Sequence, residues 1–162
     1  MSQRYPFPLN NKLIASVSIV LCFSALSFAQ DLVKPDTRLD SKTVVTLQLD
    51  ALARNDSPYK NAGIAQTYEL AHPDNKATTG PLTKFTLMLH APAYRNLLNH
   101  RSHEISLYKE TENVAVYAVT VIDSAGTKVG YQWILSKVTD GELTGCWMTS
   151  QVSPAVTLGQ QI

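Results

Sequence analysis

The sequence predicts an α+β fold, with N-terminal helices packed on a four-stranded antiparallel sheet. Three observations carry that expectation. Apolar residues recur at spacings of three and four as far as Leu98, and at a spacing of two from Ser102 onward. The stretch Val129–Val138 is apolar on both parities: Tyr131, Trp133 and Leu135 project one way, while Val129, Ile134 and Val138 include the other. Side chains alternate across a strand, so this segment needs cover on two sides, and the helical segments upstream can supply one of them. Finally, short turns separate the strand-like segments, and short links join antiparallel neighbours rather than parallel ones.

The chain has 162 residues, which suggests one domain. Its first stretch stands apart. Arg4 and Lys12 make a basic start with no acidic residue, and Leu13 to Phe28 is apolar with interspersed serines. Ser27 and Ala29 are small residues at the two positions a signal peptidase reads. This is the pattern of a secretory signal cleaved after Ala29, which places the product in the periplasm or outside the cell. The apolar run is shorter than the ~18 residues of a spanning helix, so no membrane span remains after cleavage. Leu21 is too bulky before Cys22 for a lipoprotein signal. Loss of Arg4 and Lys12 takes the formal net charge from +1 to about −1. No basic field is left to hold nucleic acid or an anionic membrane. Cys146 becomes the sole cysteine, which rules out an intramolecular disulfide and suits a small core hydrophobe.

Residues 30–42 read as a flexible leader, 43–153 as the domain and 154–162 as a frayed tail. Asp40 or Ser41 is placed to cap a first helix, Thr43 to Asn55, with Val45, Leu49 and Leu52 on its apolar face. Asn55-Asp56-Ser57-Pro58 is turn chemistry. A second helix spans Gly63 to Ala71, and His72-Pro73 stops it because the residue before proline avoids helical geometry. Lys76 to Gly80 reads as a polar connection. A third helix opens at Pro81 as its first residue and carries Leu82, Phe85 and Leu89. Tyr94, Leu97 and Leu98 suggest one more turn. The strands are His103–Lys109, Val114–Ile122, Lys128–Val138 and Leu143–Val152. The helices can cover only one sheet face, so the apolar outer face is expected to pair two copies as a homodimer.

Several short stretches resemble a known family. Asp50-Ala-Leu-Ala-Arg-Asn-Asp56, Tyr68-Glu-Leu-Ala-His-Pro73, Phe85-Thr-Leu-Met88 and Ala91-Pro-Ala-Tyr94 are similar to the helical half of domain-of-unknown-function family 4864. Tyr131-Gln-Trp-Ile-Leu135 and Gly145-Cys-Trp147 are similar to its strand half. The likeness covers roughly Val44 to Val152. His72, where the family tends to carry serine, and the longer Asp74–Gly80 segment depart from its centre. The family resembles the nuclear-transport-factor-2-like (cystatin-like) superfamily, which implies a curved sheet wrapped on helices around a cone-shaped cavity. That fold hosts enzymes and inert binding domains alike, and the family carries over no catalytic residues.

In such a cone, Tyr68, Phe85, Tyr94, Tyr131 and Trp133 would be core rings or the walls of a small-ligand site. Asp50, Asp56, His72 and His103 are the nominees for a single acid–base residue, should the cone house a cofactorless isomerase or cyclase. Asp50 and Arg54 are spaced for a helix-face ion pair, and Asn55 and Asp56 for capping and turning the chain. His72 and His90 sit at helix ends, where histidine favours the terminal carbonyls. His100 and His103 would share one helix face as metal ligands but lie on opposite faces of a strand, so no metal is expected there. No nucleophile elbow, phosphate loop, dinucleotide glycine pattern or paired-cysteine motif occurs, and no cofactor is implied. The expected role is a non-catalytic exported domain that binds a small apolar or amphipathic molecule, or docks on an envelope partner.

Overall fold

The computed structural model describes Met1 and residues 31–160; the expected signal segment with Cys22, and residues 161 and 162, lie outside the described residues. The described chain is α+β, with four α-helices ahead of a five-stranded antiparallel sheet.

Helix α1, Ser41–Ala53, starts where the Asp40 carboxylate accepts the Thr43 N–H at 2.7 Å, a cap worth about 1 kcal/mol. It buries Val44, Val45, Leu49 and Leu52 completely. Helix α2, Ala62–Glu69, crosses α1 at Gly63. A Cβ there would come within 2.9 Å of the Asn55 Cα and closer still to the Ala51 carbonyl, so only glycine allows this approach. The buried Asn55 amide completes the joint: its oxygen accepts the Ile64 N–H at 3.1 Å.

The His72-Pro73 pair does not only end α2. It begins a further helix, α3, Pro73–Thr79, inside the stretch expected to be a polar connection. Proline suits the first turn, and His72 Nδ1 accepts the Asp74 N–H at 3.2 Å as the cap. No residue of α3 is fully buried, so it has no apolar period to read. Helix α4, Leu82–His90, buries Phe85 and Leu89, with Pro81 just outside its first turn rather than within it. A short 3₁₀ turn, Arg95–Leu97, supplies the extra turn.

Strands β1 (Ser102–Glu110), β2 (Val114–Ile122), β3 (Thr127–Lys137) and β4 (Trp147–Val152) pair in chain order. The fourth strand starts later than expected because Leu143–Gly145 turns, with Gly145 at φ 84 and Cys146 N bonded to Leu143 O. The tail is not frayed. Val156–Gln160 forms β5, which continues along the same edge of β3 that β4 occupies. β4 pairs with Trp133–Lys137 and β5 with Thr127–Gly130. Between them Pro154, which has no N–H to donate, interrupts the pairing without ending it. Ser153 bridges the gap through two bonds with the Gln132 backbone, at 2.8 and 2.9 Å.

Tyr131, Trp133 and Leu135 point to the helices, together with Tyr117 and Val119 of β2. Val129 shares their parity and their face, which corrects its grouping with Ile134 and Val138. Val138 lies past the end of β3, in a small cluster with Cys146 and Met148. Burial pushes the Cys146 thiol up, with a smaller push from Asp36. The leader is held rather than loose: Gln66 bonds both backbone groups of Val33, at 2.7 and 2.9 Å, and Leu39 packs on the core.

Candidate functional site

A cavity of about 440 Å³ opens between α3, α4 and the β4 end of the sheet. Its walls are apolar, with Leu52, Phe85, Met88, Leu89 and Leu97 converging on the Trp133 ring. Its floor is a buried polar network. Trp133 Nε1 donates to Gln48 Oε1 at 3.0 Å and to Thr149 Oγ1 at 3.1 Å. The Thr149 hydroxyl donates to the same Gln48 oxygen at 2.6 Å, and Gln48 Nε2 donates to the Thr67 carbonyl at 3.0 Å. The amide orientation follows from the partners: an indole N–H can only donate and a carbonyl can only accept. Gln48 and Thr149 are both buried. At the rim, Asn75 Nδ2 donates to the Thr149 carbonyl at 3.1 Å, and Tyr94 OH donates to the Val152 carbonyl at 3.2 Å. Asp74, 93% exposed, is the one charged residue in the lining.

Of the five rings nominated from sequence, Phe85, Tyr94 and Trp133 line this cavity. Tyr68 does not. It packs against Phe85 with ring centroids 5.3 Å apart and planes tilted by 60°, donates to the Gly80 carbonyl and carries Lys76 Nζ over its face at 5.1 Å. Tyr131 is buried in the core, and its hydroxyl has no partner among the described residues. Burial, then the nearby Asp123, pushes that phenol well above its ordinary range. Gln48, Thr149 and Asn75 escaped the sequence reading. A glutamine on the apolar stripe of α1 was the one available signal, since a buried amide demands partners.

None of Asp50, Asp56, His72 and His103 lines the cavity. Asp50 does not pair with Arg54. Arg54 leaves helical geometry at φ −120 and ψ 43, which breaks the four-residue spacing. Asp50 instead faces His103 Nε2 at 3.7 Å, with its own side chain 51% exposed. Asp56 is exposed and structural: it accepts from the Asn61 N–H and the Asn99 amide, and these two bonds hold its carboxyl below the usual range. His72 caps the start of α3 rather than the end of α2, so the carbonyl reading fails for it. His90, at the end of α4, bonds Asn61 Oδ1 at 3.0 Å.

His100 and His103 do come together, with His100 Nε2 2.9 Å from His103 Nδ1. His100 precedes β1, so strand alternation does not separate them. The chain of bonds sets the tautomers. Leu97 O lies 2.7 Å from His100 Nδ1 and can only accept, so that nitrogen carries the hydrogen. His103 Nδ1 then donates to neutral His100. Burial is the main cause that keeps the buried His100 ring below its ordinary pKa, and the His103 charge adds to it. Among the described residues, no three His, Cys, Asp or Glu side chains are arranged to hold a metal ion.

No family model, curated protein or solved structure matches this chain. Among the described residues, no helix is long and apolar enough to cross a membrane.

Proposed function

We propose that this chain is an exported, non-catalytic domain that holds a small apolar or amphipathic molecule in the cavity over Trp133. The observation that carries the reading is the lining itself: apolar walls around a ring, a satisfied polar floor, and a volume within the ~300–1,000 Å³ range of small-molecule sites. In this reading the cavity is the mouth of a nuclear-transport-factor-2-like cone, and the chain belongs with domain-of-unknown-function family 4864. The export rests on the signal pattern ending at Ala29. The acid–base alternative has less support, because none of its four nominees lines the cavity.

Nile red, an uncharged dye, tests the reading. It should bind saturably at one site per chain. Met88→Trp, which fills the cavity, should weaken binding by at least about tenfold. Equal, non-saturable binding by both proteins would end the proposal.

A second reading is a homodimer through the outer sheet face, where Val114, Val156 and Leu158 are exposed. Leu158 lies across Gly130, 3.1 Å from where a Cβ would stand, so it projects to that face. Sedimentation equilibrium at micromolar concentration should give twice the chain mass; a single-chain mass would remove this reading.

A further inference from the structure

His100 and His103 join three parts of the chain at one point. His100 follows the Arg95–Leu97 turn, His103 is the second residue of β1, and Asp50 reaches His103 from α1. The neutral rings admit one arrangement of hydrogens. Leu97 O takes the His100 Nδ1 hydrogen at 2.7 Å, which leaves His100 Nε2 to accept from His103 Nδ1 at 2.9 Å. His103 Nε2 is then bare and lies 3.7 Å from the Asp50 carboxylate. A first proton fits there, beside the carboxylate, and the bond between the rings survives it. A second proton has only His100 Nε2 to go to, the atom that accepts that bond. Two N–H groups and two positive charges would then meet at one contact, on a buried ring.

We propose that this pair is an acid-operated latch: the second proton parts the two rings and frees the first residues of β1 from α1 and from the Arg95–Leu97 turn. The strand can part locally. β1 is an edge strand bonded to β2 alone, so its start can leave without breaking the remaining pairs of the sheet. Its far end is held separately, where the Ser41 hydroxyl donates to Glu110 Oε1 at 3.3 Å. Burial opposes charge on His100 most, and Asp50 favours it less than His103 opposes it. Glu104 and Lys128 share a crevice with His103 and carry opposite charges. Asp123 is engaged by Asn96, and Arg101 by the Ser124 carbonyl. The latch works whether or not the cavity over Trp133 holds a ligand.

Amide exchange of the wild-type chain, corrected for intrinsic rate, tests this at about pH 7.5 and about pH 5, on either side of the ordinary histidine value. The reporters are the Asn99 N–H, bonded to Leu52 O, and the Arg101 N–H, bonded to Ile122 O, both at 2.8 Å. Protection at these two and at His103–Ile105 should fall at least about tenfold further in acid than protection in β3. The fall should track the titration of the His100 ring nitrogens. His103→Asn should abolish the difference: its amide N–H can donate to neutral His100, and its oxygen, turned over, can accept from the charged ring. No greater loss in β1 than in β3, or a fall that persists undiminished in His103→Asn, would overturn the latch. If His103→Asn does not fold, the wild-type ring nitrogens decide: a fall that tracks His103 while His100 stays neutral would overturn it equally.

Discussion

Asp123 is buried with no ion pair among the described residues, and its neighbours explain how. Burial is the largest influence and would raise its pKa, but the N–H groups of Thr127 and Ala125 and the Asn96 amide outweigh it and hold the carboxyl below its usual range. Its turn is completed by Gly126 at φ 88, a conformation that favours glycine. The motif Asp123-Ser-Ala-Gly126 was readable as a turn; the reach of Asn96 across 27 positions was not. Asp123→Ala should cost about 3 kcal/mol in urea unfolding, because three donors lose a charged acceptor. Gly63→Ala should be as damaging, at about 2–3 kcal/mol, since a Cβ there strikes helix backbone that cannot move aside. A cost under ~0.5 kcal/mol would show that α1 and α2 slide apart freely.

At the scale of elements, strong local periodicity and turn chemistry carried the reading, and weak periodicity lost it. β2 spans Val114–Ile122 as expected, because the run is rich in β-branched residues and bounded by turns. α3 was missed because it has no buried residue, so only its proline and its cap mark it. β5 was missed because Pro154 looks like a terminator. Its partner, the start of β3, is available only because β4 ends at Val152. β5 leaves a test. Truncation after Ala155 should unpair Thr127–Gly130, speed amide exchange there and lower stability by about 2 kcal/mol. Unchanged exchange at those amides would mean that β5 adds nothing to the sheet.

For the whole molecule, stability should fall in two stages as pH drops. The folded pKa of His100 is lowered, so its contribution is present above about 6.5, the value for unfolded histidine, and is lost as pH falls through the folded value. Asp56 and Asp123 are also lowered, so their contributions are present above about 3.9 and disappear as pH falls further. Urea midpoints from pH 8 to pH 3 should show both stages, and His100→Gln should remove the upper one alone. A midpoint that is flat between pH 8 and 5 would contradict the buried neutral ring. By itself the sequence determined the α+β class, the helix-then-strand order and the inward set Tyr131, Trp133 and Leu135, because periodicity is written along the chain. Only the tertiary structure decided which side chains make the site. Gln48 and Thr149 stand 101 positions apart, and His100 and His103 meet across a strand boundary. Such pairings depend on how distant segments pack, and no local pattern of residues encodes them.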